Sequence, residues 1–170
     1  MTRERGLSPE TVRRASDAGV LHEGIYGTVW ALHQHSDGLP CGWEMRGPTY
    51  KGFAKGGRKA VFRLGQPDGA RRVAVTESFI DALSLAAIER WPETTLYIST
   101  GGGFGPETAA LLGGLVPSTA RLVAATDRGT GGELLAERLR EVAAKTQVGF
   151  GRARPRCKDW NDQLREDHAL

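Results

Sequence analysis

Glu77 and Asp127 stand fifty positions apart, and each follows a run with the composition of a buried strand. Arg72-Val73-Ala74-Val75-Thr76 precedes the first, and Arg121-Leu122-Val123-Ala124-Ala125-Thr126 the second. In a parallel α/β sheet, ligands bind beyond the carboxyl ends of the strands. Two carboxylates brought together there make a site for Mg²⁺, a hard ion that takes oxygen ligands and keeps water or phosphate in its other positions. A glutamate so placed can also act as a general acid or base. Either acid can instead do no more than favour the start of the following helix through its dipole. Asp81 lies one helical turn beyond Glu77 and can face the same way.

Other residues could meet a polyanion. Thr100-Gly101-Gly102-Gly103-Phe104-Gly105-Pro106 falls between a strand and a helix, where free backbone amides bind phosphate. It lacks the Gly-Lys-Ser/Thr of a phosphate-binding loop and the usual dinucleotide spacing, and a tight turn needing glycine dihedrals explains it equally well. Basic residues cluster at Lys51, Lys55, Arg58, Lys59 and Arg63, and again at Arg152, Arg154, Arg156 and Lys158. Such patches draw polyanions by counterion release or serve as a solvated surface. Trp30, Trp43, Tyr50 and Phe53 sit among the first cluster. They could stack on unpaired bases, although core packing is the expected use of the two tryptophans. His33 and His35, with Cys41 across a hairpin, have no fourth metal partner and read as exposed hairpin residues. Trp160 is expected to anchor the C-terminal segment against the sheet.

The elements that must position these residues change character along the chain. A first helix starts at Ser8-Pro9 and stops at Gly19. Strands are expected at 27–32, 41–46 and 60–64, with a loop over 50–57. From residue 72 strands alternate with helices: strand 72–76, helix 78–90, strand 95–99, helix 106–112, strand 121–126, helix 133–145 and strand 147–151. That alternation implies right-handed crossovers and a parallel sheet. The expected division is a helix and strand-rich lobe over 1–69 and an α/β domain over 70–170.

Bulk properties remove several classes. Charged residues make up 25% of the 170-residue chain and hydrophobic residues 39%, as in soluble globular proteins. No apolar run reaches the roughly 20 residues of a membrane span, and no signal-like stretch follows the N-terminus, so the cytoplasm is expected. The two cysteines support neither a disulfide framework nor a zinc site. Residues 1–72 hold twelve Lys/Arg against seven Asp/Glu, and residues 73–170 eleven against thirteen. The positive charge therefore lies in the N-terminal part.

Three motifs in order resemble those of the Toprim family, the module shared by topoisomerases, bacterial primases and some nucleases. Val75-Thr76-Glu77-Ser78-Phe79-Ile80-Asp81-Ala82-Leu83-Ser84-Leu85 is similar to its glutamate motif. Leu122-Val123-Ala124-Ala125-Thr126-Asp127-Arg128-Gly129-Thr130-Gly131-Gly132 resembles its Asp-x-Asp-x-x-Gly motif, and Lys158-Asp159-Trp160-Asn161-Asp162 the Lys-Asp-x-Asp stretch of primases. The last motif, with the Leu-Arg-Gly-like Met45-Arg46-Gly47, is closest to Toprim proteins of plasmids and mobile elements.

The resemblance implies a Rossmann-like parallel sheet flanked by helices. It makes Glu77 the general acid/base and Glu77, Asp127 and Asp159 ligands of Mg²⁺ or Mn²⁺, with Asp81 and Asp162 in support. Gly101, Gly102, Gly103, Lys51, Lys55, Arg58, Arg128 and Lys158 would meet phosphate. The implied partners are DNA, single-stranded DNA foremost, and other replication or mobilisation proteins, with no membrane. Two positions depart from the pattern: Gly129 and Asn161 stand where acids are usual. Two functions remain open. One is metal-dependent primase-like nucleotidyl transfer or phosphodiester nicking; the other is a degenerate module that only binds DNA. A small phosphorylated ligand at residues 100–106 is a third.

Overall fold

The computed structural model describes residues 1–169. Its centre is a parallel set of strands, of which the inner ones are buried on both faces, as crossover topology demands. The set consists of β6 (Arg72–Thr76), β7 (Thr95–Ser99), β8 (Arg121–Ala124) and β9 (Gly149–Arg152), in the spatial order β7-β6-β8-β9. Register is continuous, with Val73 opposite both Leu96 and Leu122. The crossovers are α3 (Phe79–Ile88), α4 (Pro106–Leu115) and α5 (Thr130–Thr146).

Alternation along the strands feeds two apolar layers. Val73, Val75, Leu96 and Ile98 pack with Leu112 of α4 and Leu135 and Leu139 of α5. Ala74 and Tyr97 point to the other face, with Phe79 and Leu83 of α3. A last helix, α6 (Trp160–Ala169), covers that second face. Trp160 is buried there and donates its indole N–H to the Ala125 carbonyl at 2.8 Å, the anchoring expected of it.

The N-terminal strands extend the same sheet in antiparallel fashion. β5 (Val61–Leu64) pairs with β7, β2 (Val29–Gln34) with β5, β3 (Pro40–Arg46) with β2, and β4 (Lys51–Phe53) with β3. β1 (Leu21–Glu23) pairs with the other side of β2. Helix α2 (Pro9–Asp17) is capped by Ser8, whose hydroxyl accepts from the Thr11 N–H, and is preceded by a short helix α1 (Thr2–Arg5). Among the described residues, no helix is long and apolar enough to cross a membrane.

Some expectations shift. Within the segment read as a loop, Lys51–Phe53 forms β4, because Gly52 and Phe53 can pair with Met45 and Glu44. The strand expected from residue 27 is β2 and starts at Val29, since Tyr26 turns the chain with a left-handed φ of 57°. β8 ends at Ala124, three residues short of Asp127. There the carbonyls of Ala124, Thr126 and Asp127 accept from the Arg152 guanidinium, that of Ala124 also accepting from the Ala153 N–H at 3.0 Å.

Candidate functional site

Beyond the carboxyl ends of β6 and β8 lies a cavity of about 370 Å³. Glu77, Asp81, Asp127 and Asp159 line it on one side, and Arg5, Arg46 and Lys51 join them, with Lys158 and Gly102. A larger cavity of about 590 Å³ opens around Arg63 and Gly65, at the amino-terminal ends of the parallel strands. It gathers none of the acids that the motifs single out, so size does not identify the site here.

Each acid is held by its own local device. Glu77 directly follows β6; its carbonyl accepts from the Gly102 N–H at 3.0 Å and from the Ser99 hydroxyl at 3.3 Å. Ser78 caps α3 by accepting from the Asp81 N–H, and its hydroxyl donates back to the Asp81 carboxylate at 2.5 Å. Asp127 sits on a turn fixed by Arg152 and by the Thr126 hydroxyl, which donates to the Gly132 carbonyl. A Cβ on Gly132 would lie 2.0 Å from the Asp127 carbonyl oxygen, so only glycine fits there. Asp159 caps α6, accepting from the Asp162 N–H at 2.7 Å.

Electrostatically the acids are frustrated. Burial pushes the Asp127 carboxyl up to about 8, reinforced by the negative charges of Asp81, Glu77 and Asp159 and only partly opposed by Lys158. Burial also raises Asp81 to about 6, against the stabilising hydrogen bond from Ser78. One oxygen each of Glu77 and Asp127 is buried without any hydrogen-bond partner. Buried acceptors left unpaired are expensive, and a divalent cation is the partner that would satisfy both at once. The donor set is all oxygen, which suits Mg²⁺ or Mn²⁺. Among the described residues, no three acidic, histidine or cysteine side chains are gathered to hold an ion unaided. Such a set fits an ion completed by ligand phosphate or water.

The cationic wall comes from the N-terminal strands. Arg46 donates two hydrogen bonds to one oxygen of Glu44, at 3.1 and 3.0 Å. Glu44 is buried; burial alone would raise its carboxyl, but contacts with His33 and Arg46 outweigh that and hold it below its usual range. His33 is fully buried 3.5 Å from Glu44 and edge-on to Phe53. This corrects the reading of His33 as an exposed hairpin residue: the antiparallel extension buries that face of β2. Trp30 and Trp43 are only partly buried, 6.4 Å apart, and Trp43 packs against the core.

Other expected residues scatter. Asp162 lies outside the cavity, 3.8 Å from Arg165. Lys55 and Arg58 are exposed and do not line the cavity, and Arg128 is exposed with its guanidinium on the Pro155 carbonyl. The amides of Gly101, Gly102 and Gly103 are taken by Ser99, Glu77 and Thr100. The glycine run thus works as a tight turn, with Gly101 pressed against His33. Sequence reasoning missed Arg5 as a lining residue; an arginine in a four-residue helix carries no local signal. Arg46 was visible only as the centre of Met45-Arg46-Gly47.

A parallel sheet with this acidic cluster beyond its strand ends defines a Toprim-type α/β protein. The Toprim-like family matches residues 74–164, just over half of the chain, and the chain belongs to that family. Residues 1–70 match a second family, described as a protein of unknown function (DUF3991). No curated protein matches the chain. Among solved structures it is similar to the primase fragment of the bacteriophage T7 primase-helicase protein, with a TM-score of 0.70 and 20% identity over 98% of this chain and 69% of that one. A chain in the structure of T7 lagging-strand DNA polymerase interacting with primase domains bound to an RNA/DNA hybrid and dTTP gives 0.64 and 20%, covering 98% and 84%. The RNA polymerase domain of Mycobacterium tuberculosis primase gives 0.59 and 16%, covering 99% and 73%. These likenesses establish the primase-type fold.

Proposed function

We propose that this chain is a Mg²⁺-dependent, nucleic-acid-processing Toprim protein. Its reaction would be primase-like nucleotidyl transfer or phosphodiester nicking, in the cytoplasm, in plasmid or mobile-element DNA replication or transfer. The observation that carries this is the pair of buried, unpartnered oxygens on Glu77 and Asp127, in a cavity also lined by Arg5, Arg46, Lys51 and Lys158. Residues 70–170 supply the acids and residues 1–69 most of the cations.

Glu77, Asp127 and Asp159 would hold the ion. Bound there, Mg²⁺ supplies charge neutralisation for phosphodiester oxygens. Glu77 would accept a proton from an attacking hydroxyl or water and return it to the leaving oxygen. Arg46 and Lys51 orient the phosphate backbone, and Lys158 offsets the crowding of negative charge around Asp127. The T7 structure with an RNA/DNA hybrid and dTTP makes an RNA/DNA hybrid and a nucleotide ligands to try beside single-stranded DNA.

A second reading, DNA binding without catalysis, is favoured by two positions. Gly129 offers no ligand, and Asn161 commits its amide to the Arg5 carbonyl and the Ser84 hydroxyl. A primer-synthesis and nicking assay with Mg²⁺ or Mn²⁺ on single-stranded and supercoiled DNA separates the two. Catalysis predicts product that falls by at least about a hundredfold in Glu77→Gln. Binding alone predicts no product, and salt-sensitive DNA affinity that Glu77→Gln leaves intact.

A further inference from the structure

The N-terminal segment places an arginine in the cavity through a contact from the motif that departs from the family pattern. Helix α1 has four residues and ends at Gly6, which takes the left-handed conformation and donates to the Thr2 carbonyl. So short a helix has no stability of its own, and its position must be set by tertiary contacts. Leu7 is fully buried and Met1 packs against the core. Between them the Asn161 side-chain amide donates to the Arg5 carbonyl at 2.7 Å.

Asn161 is itself fixed. It is 4% exposed, its amide nitrogen also donates to the Ser84 hydroxyl at 3.0 Å, and its backbone N–H donates to Asp81 at 3.2 Å. Both amide protons are therefore used. An aspartate at 161 could donate neither bond, and its charge would face the Arg5 carbonyl and Asp81. The chemistry at this position calls for an amide, which accounts for the departure.

The Arg5 guanidinium differs from its neighbours. Arg46 is bound to Glu44, Arg152 to Glu133 and Arg128 to the Pro155 carbonyl. Among the described residues, Arg5 makes no ion pair, although it lines a cavity with four acids. Flexible arginines that do not bind nearby carboxylates remain available for an incoming anion, and guanidinium suits phosphate.

We propose that Arg5 is a phosphate-binding residue of this site, contacting the phosphodiester backbone of single-stranded nucleic acid, and that Asn161 is the residue that positions it. The inference rests on the reading of the cavity as a nucleic-acid site. Arg5 closes the cationic arc begun by Arg46 and Lys51, and Asn161 joins that arc to the acidic helix ends of α3 and α6.

The test is the salt dependence of binding of a short fluorescent oligothymidine to the full chain, with Mn²⁺ present. Each phosphate neutralised on a single strand contributes about 0.7 to the slope of log K against log salt. Arg5→Ala is expected to lower the slope by about that amount and to weaken binding several-fold, and Arg5→Lys to restore the slope. Asn161→Ala should lower the slope equally, and the double variant no further. A purely structural role for Asn161 would lower thermal stability and leave the slope alone, which would overturn its positioning role. An Arg5→Ala slope equal to wild type, with wild type binding well, would overturn this inference and leave the proposed function standing. No binding by wild type at any salt would overturn both.

Discussion

The two halves of the sheet do opposite electrostatic work. The parallel half concentrates Glu77, Asp81, Asp127 and Asp159 where burial and mutual repulsion raise two carboxyls, Asp81 to about 6 and Asp127 to about 8. The antiparallel half buries Glu44 between His33 and Arg46, which hold its carboxyl low. One half is strained by uncompensated charge; in the other Arg46 balances the Glu44 charge, although Glu44 Oε2 and both His33 ring nitrogens are buried without a hydrogen-bond partner. The difference is that the acidic half leaves negative charge uncompensated, which the proposed cation would relieve, while Glu44 holds a cation, Arg46, already present. Unbalanced charge of this kind marks a candidate functional site, and it is found in the acidic half.

The comparison can be broken first at its backbone. Gly132→Ala puts a methyl 2.0 Å from the Asp127 carbonyl. Overpacking of this kind typically costs about 1–3 kcal/mol. Chemical denaturation should show that loss, with Mn²⁺ affinity falling although no carboxylate has changed. An equal or higher denaturation midpoint would mean that the Asp127 turn is not as tight as described.

Glu44→Gln strikes the other half. It removes the charge that holds Arg46 and leaves that guanidinium without its carboxylate. A stability loss of about 1–3 kcal/mol is expected, with weaker binding of a single-stranded oligonucleotide. Calorimetry should find Mn²⁺ binding in the absence of nucleic acid unchanged, because Glu44 is not among the residues lining the acidic cavity. A matching loss of Mn²⁺ affinity would erase the distinction between the halves.

The halves should also respond to pH in opposite senses. Asp127 keeps its proton in the folded state up to about 8 but loses it near the usual 3.8 when unfolded. Between those values the folded state binds more protons, so its contribution to stability falls as pH rises. Glu44 loses its proton more readily folded than unfolded, so its contribution is present above its usual 4.5 and is lost as pH drops below that. Thermal melts without divalent metal should therefore weaken from mildly acidic toward alkaline pH, and saturating Mg²⁺ should flatten that decline. An alkaline decline that Mg²⁺ does not alter would assign it elsewhere.

The smallest effect concerns the basic residues themselves. Lys51 lines the cavity, whereas Lys55 and Arg58 do not. Filter binding with an oligonucleotide should show Lys51→Ala weakening affinity more than Lys55→Ala or Arg58→Ala, although all three remove one charge from the same hairpin region.

The parallel half was the legible one. Val73, Val75, Leu122 and their neighbours announce buried strands, with Glu77 directly after its strand and Asp127 three residues beyond the end of its own, so linear order maps onto spatial order. Ser8 as a cap and Trp160 as an anchor were also readable from residue type. The antiparallel half hid more. Gly52 has no strand signature, yet it pairs with Met45 because Arg46 and Phe53 bracket the register. His33 looked exposed because the strand that covers it, β5, comes nearly thirty residues later. Arg5 and Asn161 meet across almost the whole chain, a contact no local pattern encodes. The glycine run at 101–103 showed the limit of motif reading: the turn was visible, but which acceptors its amides would take was not.

The central claim is that Asp127 and Glu77 form a cation site completed by nucleic-acid phosphate. Its most direct test is calorimetric titration of Mn²⁺ into wild type and Asp127→Ala, each with and without a short single-stranded oligonucleotide. The account predicts weak Mn²⁺ binding by wild type that tightens with the oligonucleotide and disappears in Asp127→Ala under both conditions. Mn²⁺ binding that is the same in Asp127→Ala, or absent from wild type even with the oligonucleotide, would contradict it.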